Sequence, residues 1–73
     1  MKAGAYQLLQ CLKEKAMLTN DKYVVLATIP SNIHRDNRKS LADELEHGRY
    51  ICKVNFIGKD KIQCELTEKG MNA

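Results

Sequence analysis

One proline, four glycines and four aromatic rings in 73 residues are what this sequence has least of. So few linker-forming residues exclude a low-complexity chain. The rings, Tyr6, Tyr23, Tyr50 and Phe56, are scattered and do not make the platform on which single strands stack. No apolar run approaches the roughly 20 residues that cross a bilayer. The longest, Tyr23 to Ile29, has the length of a core element. The N-terminus carries one lysine before Ala3-Gly4-Ala5 and a pattern broken by polar residues, so no secretory leader is expected. The chain is expected in the cytoplasm, with no membrane partner.

Cysteine is also in short supply, and its number is odd: Cys11, Cys52 and Cys64, with no CxxC spacing. A disulfide framework wants an even set, and a structural zinc site wants ligands paired at short spacing. The thiols are expected to be reduced, metal-free and buried as small hydrophobes, and no cofactor is implied. Catalytic signatures are missing too. There is no glycine-rich phosphate loop and no zincin-like ligand spacing. A nucleophilic pair of Cys11, Cys52 or Cys64 with His34 or His47 would place the thiol on an apolar face, where it is inert. The chain is not expected to be an enzyme.

What is present suits one soluble domain over residues 1–73, with 44% hydrophobic and 29% charged residues. A chain this short buries only about 60% of its unfolded surface, which leaves little room for a deep cleft beside a core. The net charge of +3 is mild, but its distribution is uneven. His34, Arg35, Arg38 and Lys39 cluster against one acid, Asp36, and the acids Asp43, Glu44 and Glu46 follow. A basic patch on a nearly balanced chain is compatible with phosphate contact.

Ala5, Leu8, Leu9, Leu12 and Ala16 recur at helical spacing and predict a helix over about 4–17. Thr19 suits an N-cap and Asn20-Asp21 a first turn, so residues 23–29 are read as a short helix, although their β-branched content also fits a strand. Pro30 closes that element. Ser40 to Asp43 resembles a capping box, Leu41 and Leu45 form an inward stripe, and Gly48 stops the helix. A third helix therefore ends at Glu46 or His47 and begins between Ser31 and Ser40.

Tyr50, Cys52, Val54 and Phe56 alternate with Ile51, Lys53, Asn55 and Ile57. Beyond Gly58-Lys59-Asp60-Lys61, Ile62, Cys64 and Leu66 alternate with Gln63, Glu65 and Thr67. Period-two patterns flanking a turn predict a β-hairpin. Its buried face is expected to hold Val54, Phe56, Ile62, Cys64 and Leu66, with Lys53, Asn55, Gln63 and Glu65 outside. The core spans about 4–67, and 68–73 reads as a frayed tail.

Helix, short element, helix and hairpin is an order that resembles the winged helix-turn-helix domain. The residues that carry the resemblance are Leu41-Ala42-Asp43-Glu44-Leu45-Glu46-His47-Gly48-Arg49-Tyr50-Ile51 and the closing Glu65-Leu66-Thr67-Glu68-Lys69-Gly70. The chain departs from that pattern in the long stretch from Ile29 to Lys39, and no long helix follows the hairpin before Ala73. The resemblance implies an α+β fold of three N-terminal helices followed by a two-stranded β-hairpin wing. It further implies sequence-specific binding to double-stranded DNA, as a small transcriptional regulator or a mobile-element or phage accessory factor, with a homodimer admitted. The DNA-contacting residues would be Asn32, His34, Arg35, Asn37, Arg38 and Lys39 around the start of the third helix, and Lys59 and Lys61 on the wing. Two rival readings remain open: a protein-docking module that binds no DNA, and a basic stretch that merely keeps the chain soluble.

Overall fold

The computed structural model describes residues 3–26, 38–58 and 61–73. Among them the order is α1 (Ala3–Thr19), β1 (Tyr23–Leu26), α2 (Arg38–His47), β2 (Ile51–Ile57), β3 (Lys61–Leu66) and α3 (Glu68–Met71). The fold is small α+β, with a three-stranded antiparallel sheet in the order β1-β3-β2. Residues 27–37, which hold Pro30 and most of the predicted basic segment, lie outside the described residues.

The apolar stripe read from the sequence is the buried stripe of α1: Ala5, Leu8, Leu9, Leu12 and Ala16. Leu41, Ala42 and Leu45 bury the matching face of α2. Both helices cover the sheet face formed by Val24, Ile51, Ile62, Cys64 and Leu66. Each large side chain removed from water here contributes about 1.5–3 kcal/mol relative to its exposed state.

The predicted short helix at 23–29 is corrected: Tyr23–Leu26 is a strand. The capping signals before it close α1 instead of opening a new helix. The Thr19 hydroxyl donates back to the Lys15 carbonyl at 3.0 Å. Asn20 takes the left-handed conformation at φ 54°, and the Asp21 N–H reaches the Ala16 carbonyl at 3.1 Å. This six-to-one closure is the Schellman arrangement. The Asp21 carboxylate then accepts from the Tyr23 N–H at 3.0 Å, and β1 finds its partner in β3. Hence the sheet has three strands, not the two of a bare hairpin, and two of the described helices, not three, precede the hairpin.

The hairpin itself forms, but its first strand changes parity. Cys52 faces Glu65 while Asn55 faces Gln63, so β2 holds one residue more than β3 over this span. Lys53 occupies the left-handed region at φ 55°, which marks the bulge. Before it, Ile51 points inward and is buried, contrary to the expected alternation. After it the predicted register is recovered: Val54 packs on the core and Phe56 lies opposite buried Ile62. Phe56 sits near the open end and remains 36% exposed, so its expected burial is also corrected.

The predicted frayed tail is an ordered helical turn. Thr67 caps α3, its hydroxyl accepting from the Gly70 N–H at 3.1 Å, and Met71 packs against the core. Gly48 closes α2 differently from expectation. The left-handed residue is Arg49, at φ 64°, and the Tyr50 N–H reaches the Leu45 carbonyl at 2.9 Å. A Cβ on Gly48 would stand 2.8 Å from the Tyr50 ring, so Gly48 makes room for that ring.

Candidate nucleic-acid interface

α2 lies between β1 and the hairpin in the chain, with its N-terminal end carrying the predicted basic residues. Arg38 and Lys39 are the first two residues of the helix; Arg38 is half-buried and Lys39 exposed. Asp43, Glu46 and His47 are also exposed, four, seven and eight residues beyond Lys39. Those spacings put them on one solvent-facing stripe with Lys39. The stripe is therefore basic at its start and largely acidic at its end.

The cations at the start of this layout oppose the helix dipole, whereas His47 in the last turn follows it. Cations are disfavoured at a helix N-terminus and anions at its C-terminus, by about 0.3–1 kcal/mol each at low ionic strength. The first turn of α2 nevertheless contains no acid, and His47 is the basic residue of the last turn. Arg38 and Lys39 together suit contact with an anion such as phosphate.

Lys61 is exposed as the first residue of β3, paired with Ile57 beside the hairpin turn. Asn32, His34, Arg35, Asn37 and Lys59 lie outside the described residues. Of the eight predicted contact residues, Arg38, Lys39 and Lys61 are placed, on the helix start and on the hairpin. The hairpin also carries a cation that the sequence reading assigned no contact: Lys53, held outward by the bulge, forms an ion pair with Glu65 at 3.1 Å. That hydrogen-bonded pairing raises the Lys53 pKa. A left-handed lysine inside an alternating strand has no simple sequence signature, since bulges of this kind are set by pairing.

The two hairpin thiols are placed by the same register, whereas Cys11 lies half-buried on α1. Cys64 faces the core and Cys52 the opposite side of the sheet, where its thiol donates to the Glu65 carboxylate at 3.7 Å. Burial pushes the Cys64 thiol up to about 11. Loss of hydration, and then the Glu65 carboxylate, raise Cys52, while burial and then Glu14 raise Cys11. All three are protonated near neutral pH. Among the described residues, no three of His, Cys, Asp and Glu converge as metal ligands, and no helix is long and apolar enough to cross a membrane.

Comparison with family models, with curated proteins and with solved structures finds no match to this chain.

Proposed function

We propose that the protein is a winged-helix DNA-binding domain that approaches the duplex with the N-terminal end of α2 and rests its hairpin on the adjacent backbone. The observation that carries this reading is the charge of α2, basic at its start and acidic beyond, against the preference of the helix dipole. A helix that enters the major groove by its first turn brings Arg38 and Lys39 to the DNA and keeps Asp43 and Glu46 away from phosphate. The sheet order β1-β3-β2, with α2 inserted between β1 and the hairpin, supports the winged-helix assignment. Lys61 beside the hairpin turn suits a phosphate contact, which positions the domain without reading sequence. Such a domain serves as a small transcriptional regulator or an accessory factor of a mobile element.

The test is duplex binding measured across a salt series. Binding through several phosphates weakens steeply as salt rises, with a log–log slope of about −0.9 for each phosphate neutralised. Absence of duplex binding at low salt would overturn the reading. The exposed acids Asp43 and Glu46 favour the second reading, docking of α2 on a protein with a basic surface.

A further inference from the structure

We infer that the C-terminal end of α1 is a self-association surface that pairs two copies of this chain about a two-fold axis. Met17 and Leu18 are 71% and 83% exposed there, although both are large apolar side chains. They contribute little to this fold while exposed, and adjacent exposed apolar side chains favour association. Beside them Ala16, Met17, Asn20, Asp21, Lys22 and Met71 line an open cleft of about 440 Å³. Leu18 is not among those lining residues. A knob and a hollow thus occupy neighbouring positions on one helix end. That combination is self-complementary, because a two-fold axis through the patch seats Leu18 of each copy in the cleft of the other.

The charges of the rim suit a second copy better than a surface of uniform charge. Exposed Asp21 and Lys22 are adjacent and opposite in sign. The Asp21 carboxylate is held in place by the Tyr23 N–H it accepts. Across a two-fold axis Asp21 meets Lys22 of the second copy, and each charge finds its opposite. A nucleic acid, or a surface of uniform charge, would leave one of the two against its like. The surface also lies away from α2. α1 meets α2 near its own start, where a Cβ on Gly4 would stand 3.2 Å from Leu41. The distance from Gly4 to Leu18 along the helix is about 21 Å. Pairing at this end leaves the start of α2 uncovered, and it holds whether or not the protein binds DNA.

Sedimentation equilibrium of the full chain without DNA tests the inference, over about 10 μM to 1 mM, where moderate affinities register. The apparent mass of wild type should rise from 8.3 kDa toward twice that value. Leu18→Asp should raise the dimer dissociation constant by roughly tenfold or more, because it would bury a charge. Its circular dichroism should match wild type, and at concentrations where both are monomeric its stability should fall by no more than about 1 kcal/mol, the cost of an anion at the end of α1. Lys22→Glu should weaken pairing several-fold by facing Asp21 with a like charge. Val25→Asp, on the solvent face of the sheet, should associate as wild type does. A wild-type monomer at every concentration would overturn the inference. So would a Leu18→Asp or Lys22→Glu variant that pairs as tightly as wild type, or a Val25→Asp variant that loses pairing.

Discussion

The backbone of Gly70 rests against the carbonyl of Tyr50 so closely that a Cβ at residue 70 would stand 2.0 Å from that oxygen. The same carbonyl accepts from the Thr67 N–H at 3.1 Å and from the Thr67 hydroxyl at 3.0 Å. Lys69 completes the junction: its ammonium donates to the Gly48 carbonyl at 2.9 Å and lies 4.5 Å from the centre of the Tyr50 ring. The last turn of the chain thus clasps the end of α2 where it passes into β2. A cation at a helix C-terminus is the placement the dipole favours.

Gly70→Ala should therefore destabilise the protein by about 1–3 kcal/mol, as overpacking against fixed backbone does. Gly48→Ala should cost less, because the nearest atoms belong to the edge of the Tyr50 ring, which can turn aside. Urea unfolding of the two variants measures the difference. Equal losses would show that α3 gives way without resistance.

Arg49 closes α2 in a conformation that glycine adopts freely and arginine does not. Arg49→Gly should raise stability by about 0.5–1 kcal/mol, the strain removed less the entropy of a more flexible unfolded chain. The same urea titration reads the gain. A loss would mean that the Arg49 side chain contributes more than its backbone conformation costs.

The buried Cys64 thiol gives a pH dependence with a definite sign. Its pKa lies at about 11 in the folded chain against an ordinary 9.0. Between those values the unfolded chain releases the proton that the folded chain retains, so stability is full below pH 9 and falls as pH rises through 11. The loss at pH 10.5 relative to pH 8 should be about 2 kcal/mol. Cys64→Ala should show a shallower decline over the same interval. Parallel declines in the two proteins would remove Cys64 as the cause.

Leu45 is fully buried in α2, whereas Ile57 is 41% exposed on β2. Leu45→Ala should cost roughly 2–5 kcal/mol, and Ile57→Ala should fall below that range. Thermal or urea melts of both variants would decide it. A Leu45→Ala loss below about 1 kcal/mol would contradict the packing of α2 described above.

Lys39 separates binding from stability. Lys39→Gln should leave the fold unchanged or more stable by about 0.3 kcal/mol, because it removes a cation from the start of α2. It should also weaken duplex binding and reduce the salt slope by about 0.9, one phosphate contact. Lys61→Ala should weaken all duplex sequences about equally. Arg38→Ala should cost about 1–3 kcal/mol on the preferred sequence if Arg38 pairs with a base. Unchanged binding in all three variants would show that Arg38, Lys39 and Lys61 do not meet the duplex.

Three elements were legible before any coordinates. The 3.6-residue stripe from Ala5 to Ala16 reports α1 because every contact it needs lies on one helix face. Leu41 and Leu45 report α2 in the same way. The period-two pattern around Gly58 reports the hairpin, whose strands are neighbours in sequence. Of the candidate site, the residue types were legible as a basic cluster followed by acids. Their arrangement on one stripe of α2 required the helix that runs from Arg38 to His47.

Tertiary structure decided the rest, because the deciding partner in each case is distant in the chain. Thr19, Asn20 and Asp21 look locally like a helix start, and only the return to Ala16 shows them closing α1. Tyr23 to Leu26 becomes a strand through β3, whose Glu65 faces Tyr23 across the ladder. Alternation in β2 is broken by the bulge at Lys53, which brings Ile51 into the core and leaves Cys52 outside. Residues 68–71 have too few apolar side chains to predict a helix on their own. They are ordered by the exposed carbonyls of Gly48, Arg49 and Tyr50, which exist only once α2 has ended. Local sequence sets the period of an element, whereas its partner, its register and the fate of its free hydrogen-bonding groups are settled by the chain that packs against it.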